Sequence, residues 1–295
     1  MNRYSILLFC LLFVSLTINS QGFNSLAQEG LKGMVKSIKS VCYNTAEYSD
    51  NIYKTSVITR EQQNRDIPLY PTYVCEYNED GNIVEITIYD ELGVCLCVYA
   101  YKYKGNIVVM RETLFPFYDD FYNGELLTID SWSITFDGER PVSQYFFSRV
   151  EMYPEEDDLR NQKFEGFNVK SYDRYVDGVL EERVEKTWNN NLLTKYVSKD
   201  KNGNITYMLT NIWSESGQLL HTYVESENDV FFDSYEYNKD GFLVKYLSRL
   251  NAKEEEEHTF KYLSHDYKGN WTKRIIYIQD KAYIEERTIT YYTNL

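Results

Sequence analysis

Several things are scarce in this 295-residue chain. There are three histidines, five prolines and fourteen glycines. No His-Glu-x-x-His occurs, so the zinc-peptidase helix is absent. No Gly-x-Ser-x-Gly occurs, so the strained serine elbow of the α/β-hydrolases is absent too. The glycines are singly spaced, which leaves no glycine-rich loop to cradle a phosphate. Past residue 20 no run approaches the ~20 apolar residues of a membrane-spanning helix. Cysteine is sparse: Cys10 lies in the first apolar run, and Cys42, Cys75, Cys95 and Cys97 follow. Cys-x-Cys with no histidine nearby does not make a four-ligand zinc site. No metal or other cofactor is expected.

What is present is tyrosine, twenty-nine of them, with fifteen phenylalanines. Aromatic and β-branched residues favour strands. The net charge is −14, which argues against nucleic acid or anionic lipid as a partner. Residues 1–20 have the form of a secretory signal peptide: Arg3, then an apolar stretch from Ile6 to Leu16, then small and polar residues to Ser20. Its removal takes away one base and no acid, moving the charge from −14 to −15. The expected location is therefore the periplasm, the outer surface or the medium.

The chain from 21 to 295 reads as one repeat-built β domain. The stretch Tyr77-Asn78-Glu79-Asp80-Gly81-Asn82-Ile83-Val84 sets its plan. An aromatic ends a strand, a polar run with glycine turns the chain, and an apolar residue two places on starts the next strand. The turn glycines are Gly81, Gly105, Gly124, Gly138, Gly178, Gly203, Gly217, Gly241 and Gly269. Two residues later stand Ile83, Ile107, Leu126, Arg140, Leu180, Ile205, Leu219, Leu243 and Trp271. Four residues before the glycine stand Tyr77, Tyr101, Trp213 and Tyr237 in the best copies, with His265 in that place in the last. Asp-Gly and Asn-Gly pairs supply the positive φ angles of hairpin turns. The gap from 138 to 178 has room for one eroded copy. The fold class expected is all-β, an antiparallel meander of hairpins curved into a superhelical sheet.

The consensus Tyr-Asp/Asn-x-x-Gly-x-Leu/Ile, best seen from Tyr77 to Ile83 and from Tyr237 to Leu243, resembles the YD (RHS) repeat of bacterial envelope and secreted proteins. The opening Leu31-Lys32-Gly33-Met34-Val35-Lys36-Ser37 and the ending from Asp266 to Tyr292 are similar to small secreted RHS-repeat-like proteins. Large RHS proteins wrap dozens of repeats into a closed shell. This chain has far fewer copies, so the resemblance implies a curved sheet rather than a shell. It implies no activity.

Residues 151–166, with Pro154 and four consecutive acids, break the rhythm and read as a long surface loop or a boundary between half-domains. Glu254 to Glu257 reads as a solvated hairpin end, with Glu257, beside His258, in water. Asp200-Lys201-Asn202-Gly203-Asn204 resembles a calcium loop only faintly and reads as a turn. His265, in an aromatic slot, reads as a packing residue, and the four tryptophans read as core. Cys42 and Cys75 are placed for one disulfide, with buried free thiols the equal alternative. Tyr99, Tyr101 and Tyr103 alternate onto one strand face. They either stabilise the sheet or stand exposed as a platform for a sugar ring.

The leading functional expectation is a non-enzymatic scaffold or interaction protein of the bacterial envelope, bound to an envelope or host protein. A carbohydrate-binding module on the tyrosine face is the alternative. A two-carboxylate hydrolase ranks below both.

Overall fold

The computed structural model describes residues 30–48, 51–60, 62, 70–105, 107–117, 125–148, 155–156, 158–166, 168–176, 178–251 and 254–293. The signal-like segment, Gly124 and residues 63–69 lie outside them.

Among the described residues twenty strands form one antiparallel sheet. A first meander runs through β3 (Thr72–Tyr77), β4 (Ile83–Tyr89), β5 (Cys95–Lys104), β6 (Ile107–Phe117), β7 (Glu125–Asp137) and β8 (Arg140–Ser148). The two-residue β9 (Glu155–Glu156) pairs with the end of β8. A second meander runs through β10 (Asp158–Glu165), β11 (Asn168–Val176), β12 (Val179–Asn189), β13 (Leu192–Lys199), β14 (Ile205–Trp213) and β15 (Leu219–Ser226). It continues through β16 (Val230–Tyr237), β17 (Leu243–Leu250), β18 (Glu254–His265), β19 (Trp271–Ile278) and β20 (Lys281–Tyr291).

The long first strand, β1 (Val35–Tyr48), joins the two meanders. One of its edges lies along β20. The other lies along β3 and then along β2 (Asn51–Val57). The last strand is thus tied through β1 to the start of the first meander, and the sheet curves nearly closed. That is more closure than the repeat count implies. Among the described residues no backbone ladder joins β8 to β10, so one seam remains. The acidic break near 151–166 falls there, but it is not all loop, because β9 and β10 are strands.

The repeat has a uniform turn. Asn78 N–H donates to Asn82 O, Gly81 N–H donates to Asn78 O, and Asn82 N–H is held by the Asn78 side-chain oxygen. The same pattern returns at Asp200, Ser214, Asn238 and Asp266. Glycine alone is left-handed there: φ is 80° at Gly81 and 87° at Gly241, while Asp80 and Asp240 have negative φ. The loop is therefore a type I turn closed by a glycine bulge, not a two-residue turn on the Asp-Gly pair. The Asn or Asp of the repeat is the side-chain acceptor of this turn.

Several turns lie outside the nine-glycine set, among them the following three. Asp90 and Gly93 make the same loop. Gly166, at φ 59°, turns β10 into β11 and fills the long gap. Asn190 and Asn191, at φ 49° and 62°, form a two-residue turn with no glycine.

The repeat aromatics clamp one hairpin to the previous one. Tyr103 Oη donates to Ile83 O at 2.6 Å, Tyr237 Oη to Leu219 O at 3.0 Å, and Tyr262 Oη to Leu243 O at 2.6 Å. Trp213 Nε1 donates to Leu193 O and Trp188 Nε1 to Val169 O, both at 2.9 Å. Three of these acceptors, Ile83, Leu219 and Leu243, are the residue two places after the turn glycine. An aromatic body that packs on the sheet while its polar tip finds a carbonyl suits a half-buried face. The apolar core sits in three clusters along the sheet, around Ile38, Ile276 and Tyr235.

Candidate functional site

Directly paired residues on neighbouring strands share a face. The registers therefore define rows across the sheet. One row reads Asn211, Thr222, Asp233, Ser248 and Glu256. A second reads Tyr262, Arg274, Glu285 and Cys42. Polar residues in the middle of strands, on the buried face, are the strongest departure from simple β patterning in this chain.

The second row is the densest charge cluster. Glu285 is 3% exposed. Arg274 reaches its Oε2 with Nε at 2.7 Å and Nη2 at 2.6 Å. Its Oε1 accepts from Ser40 Oγ and from Tyr73 Oη, the latter at 3.1 Å. Arg287 Nη2 donates to Tyr73 Oη at 2.8 Å, and its Nε lies 3.8 Å from Glu285 Oε1. Both guanidiniums lie over the buried Trp271 ring, Arg287 at 3.8 Å and Arg274 at 4.4 Å. Burial works to raise the Glu285 pKa, yet the Arg274 and Arg287 charges and the Ser40 hydrogen bond hold it below the usual carboxylate range. Glu286, one residue on, faces the other way and is shared by Lys54 and Lys273. A carboxylate fixed by two arginines and two hydroxyls stays ionised. It does not cycle a proton as a general acid must.

In the first row Asp233 is 3% exposed and accepts from Tyr246 Oη at 3.1 Å. Burial dominates here and raises its pKa, against opposing hydrogen bonds from Ser248 and Tyr246. Asn211 Oδ1 accepts from Thr222 Oγ1 at 3.0 Å. His258 is 4% exposed, its Nε2 lies 2.6 Å from Glu256 Oε1, and Tyr246 meets it edge-on at 5.2 Å. This corrects the expectation for the acidic run. Residues 254–257 are strand, not hairpin end, and His258 beside them is buried. Glu257 faces outward to Lys245 at 2.8 Å.

The tyrosines expected as an exposed platform are placed differently. Tyr101 is 6% exposed in the first core cluster, and Tyr99 and Tyr103 pack against the same cluster. Tyr103 also gives its hydroxyl to the Ile83 carbonyl. Tyr101 belongs to the core and Tyr99 and Tyr103 are half-buried beside it, so the three do not form a fully exposed face. The cysteine expectation resolves to free thiols. Register sets Cys75 opposite Ile38, four residues from Cys42, which is too far for a disulfide. Burial and the neighbouring Glu285 raise the Cys42 thiol pKa far above its ordinary value.

Gly81, Gly203, Gly217, Gly241 and Gly269 close repeat turns, and Gly105, Gly138 and Gly178 sit in shorter hairpin loops. Asp200 is a turn acceptor for the Asn202 and Asn204 amides. His265 is exposed and stacks on Phe242 at 5.8 Å. Trp271 is core, 2% exposed. Sequence reasoning missed Glu285, Arg274, Arg287 and Asp233. The available signal was charge in mid-strand, Glu285-Glu286-Arg287 between Ile284 and Ile289.

Among the described residues no group of His, Cys, Asp or Glu is arranged to hold a metal, and no helix is long and apolar enough to cross a membrane. The second statement does not bear on β-barrels.

No family model and no curated protein matches the chain. Among solved structures it is similar to a porin-like protein from Bacteroides uniformis, at 10% identity and TM-score 0.38, covering 87% of this chain and 98% of that one. A porin-like protein from Bacteroides vulgatus gives 8% identity and TM-score 0.35, over 90% and 100%. The TcdB2-TccC3 structure gives 11% identity and TM-score 0.35, over 72% of this chain and 14% of that one. Likenesses at these values carry no functional weight.

Proposed function

We propose that this chain is an exported, non-catalytic scaffold or interaction protein of the bacterial envelope. The observation that carries the reading is how its inner polar groups are used. Glu285, a buried carboxylate, is held by Arg274, Arg287, Ser40 and Tyr73 in an arrangement that braces the join between β20 and β1. The signal-like residues 1–20 supply the export half of the reading.

The contact surface is the outer face of the sheet. There Phe232 meets Tyr223 at a tilt, 4.8 Å between ring centres, and stacks with His221 at 5.7 Å, and Ile212 and Tyr223 are 43% and 42% exposed. Rings and aliphatics that stand out on a charged surface are the usual core of a contact patch.

The test places a photoreactive residue at Tyr223 in the intact envelope and, in parallel, assays the mature protein against a polysaccharide panel. The expected result is one reproducible cross-linked protein and no turnover. Turnover that disappears in Glu256→Gln would overturn the reading in favour of a hydrolase.

A further inference from the structure

One row on the inner face differs in kind from the rows beside it. Register sets Lys186, Tyr196, Leu209, Val224, Phe231 and Leu250 opposite one another on β12 to β17. Directly paired residues share a face. Leu209, Val224 and Phe231 each lie two residues from Asn211, Thr222 and Asp233, so this row is on the same inner side. The polar row through Asn211, Thr222, Asp233 and Ser248 flanks it on one side. Ser198, Tyr207 and Ser226 flank it on the other. The result is a strip one residue wide, apolar from Leu209 to Leu250, with a tyrosine and then a lysine at its β12 end.

Val224 is buried, but Tyr196, Leu209, Phe231, Leu250 and Lys186 are only half-buried. Apolar side chains that stay half open on the concave side of a sheet line a space rather than a packed layer. Lys186 has no ion pair with a carboxylate among the described residues. Its Nζ lies over the Tyr172 ring at 5.5 Å and over the Tyr196 ring at 5.6 Å. Burial draws its pKa down to about 8, opposed by Glu182 on the same strand. An ammonium between aromatic rings, without a paired counter-ion, favours an anion brought by a ligand.

We propose that this strip binds a long-chain carboxylate, its head group on Lys186 and its acyl chain laid along Leu209, Val224, Phe231 and Leu250. The length fits. From Tyr196 to Leu250 the row crosses four strand spacings, roughly 19 Å. At carbon–carbon bonds of ~1.5 Å a zigzag chain of roughly sixteen carbons covers that distance. The charge fixes the direction. In a chain of net charge −14 an anion is repelled by most of the surface, so the head group belongs at the lysine end. The proposal goes beyond the envelope-partner reading and uses the face opposite to Tyr223.

The probes are palmitate, below its micelle concentration, and hexadecanol, which has the same chain with a neutral head. Titration calorimetry on the mature protein should give one palmitate site. Hexadecanol should bind roughly ten- to a hundredfold more weakly, because a charge-assisted hydrogen bond is missing. Lys186→Met keeps the apolar stem and removes the charge. It should lower palmitate affinity to the hexadecanol level and leave hexadecanol unchanged, while Lys186→Arg keeps the preference for palmitate. Phe231→Gln should weaken both ligands alike, and Tyr223→Gln, on the outer face, should change neither.

Absence of palmitate binding, or equal affinity for the two head groups, would overturn the proposal, and that comparison on the unaltered protein stands whether or not a variant folds. Undiminished palmitate binding by Lys186→Met would overturn it too. So would tighter binding of hexadecyltrimethylammonium than of palmitate, which would assign the head-group site to Asp233 and Glu256. Cross-linking at Tyr223 reads the other face. A partner captured there with no palmitate site would sink this proposal and leave the wider reading standing.

Discussion

Two carboxylates lie on the buried face of neighbouring rows, and burial acts on both in the same sense. Neighbours decide the outcome. At Glu285, two guanidiniums outweigh desolvation and the carboxyl is held ionised. At Asp233, two hydrogen bonds do not, and its pKa is raised. Replacing one member of a buried charged pair leaves the others unpaired, which costs about 3 kcal/mol or more. Glu285→Gln should therefore lose about that much in urea denaturation at pH 7. The pH dependence follows from the sign of the shift. A depressed folded pKa contributes stability that is present above the unfolded carboxylate value and is lost as pH falls through the folded one. In Glu285→Gln the acid-side slope of stability should shrink. Asp233 has the opposite sign: its contribution is present at low pH and is lost as pH rises through its raised folded value. Asp233→Asn keeps an acceptor for Tyr246 and removes the buried charge. It should be neutral or stabilising by up to about 1 kcal/mol at pH 7. Losing stability there as Glu285→Gln does would refute the contrast between the two sites.

At the scale of the hairpin, the aromatic clamp and the glycine turn are separable. Tyr237→Phe and Tyr262→Phe keep the rings and remove the hydroxyl given to Leu219 O and Leu243 O. Each should cost about 1 kcal/mol, plus the penalty for an orphaned carbonyl if water cannot reach it. Thermal unfolding of the single variants and the pair would read this, and the two sites should be close to additive. Turn substitutions should differ by place. Gly203→Ala meets no atom within 4 Å, so only the left-handed backbone at φ 88° opposes it, about 1 kcal/mol. Gly241→Ala has the same strain, and its Cβ would meet Gln218 Nε2 and Gly30 Cα, both at 3.5 Å. These are ordinary contact distances, so it should cost about as much as Gly203→Ala, whereas Gly30→Ala, whose Cβ would lie 2.9 Å from Gly241 O, should cost more than either. Much of this scale was legible in the sequence, because Tyr-Asn-x-x-Gly-x-Ile names the strand end, the turn acceptor and the next strand. Asn190-Asn191 was not, since it replaces glycine by two left-handed asparagines. The charge row was not legible either. Ser40 and Glu285 are brought together across 245 positions by register, which local pattern does not encode.

At the scale of the molecule, closure distinguishes this sheet from an open repeat array. In an open solenoid each unit touches only its neighbours, and loss of a terminal unit costs about one interface. Here β20 is terminal in sequence but lies between β19 and β1. Truncation after Asp280 removes β20 and with it both of those ladders. It leaves Arg274 without Glu285 on the buried face, exposes the Ile38 and Ile276 clusters along their length, and turns β1 and β19 into long edges. Unpaired buried charge, exposed apolar surface and free edges act together. The truncated chain should therefore lose its cooperative unfolding transition and aggregate, rather than fray at one end. A truncation at the other side of the same logic provides the comparison. Cutting the ladder at the seam, by a protease site placed among residues 149–154, breaks no backbone pairing between β8 and β10. The nicked chain should keep its transition with a modest drop in midpoint. If both chains unfold alike, with a single cooperative transition shifted by the same amount, the sheet behaves as an open array and the β20–β1 join does not hold it together.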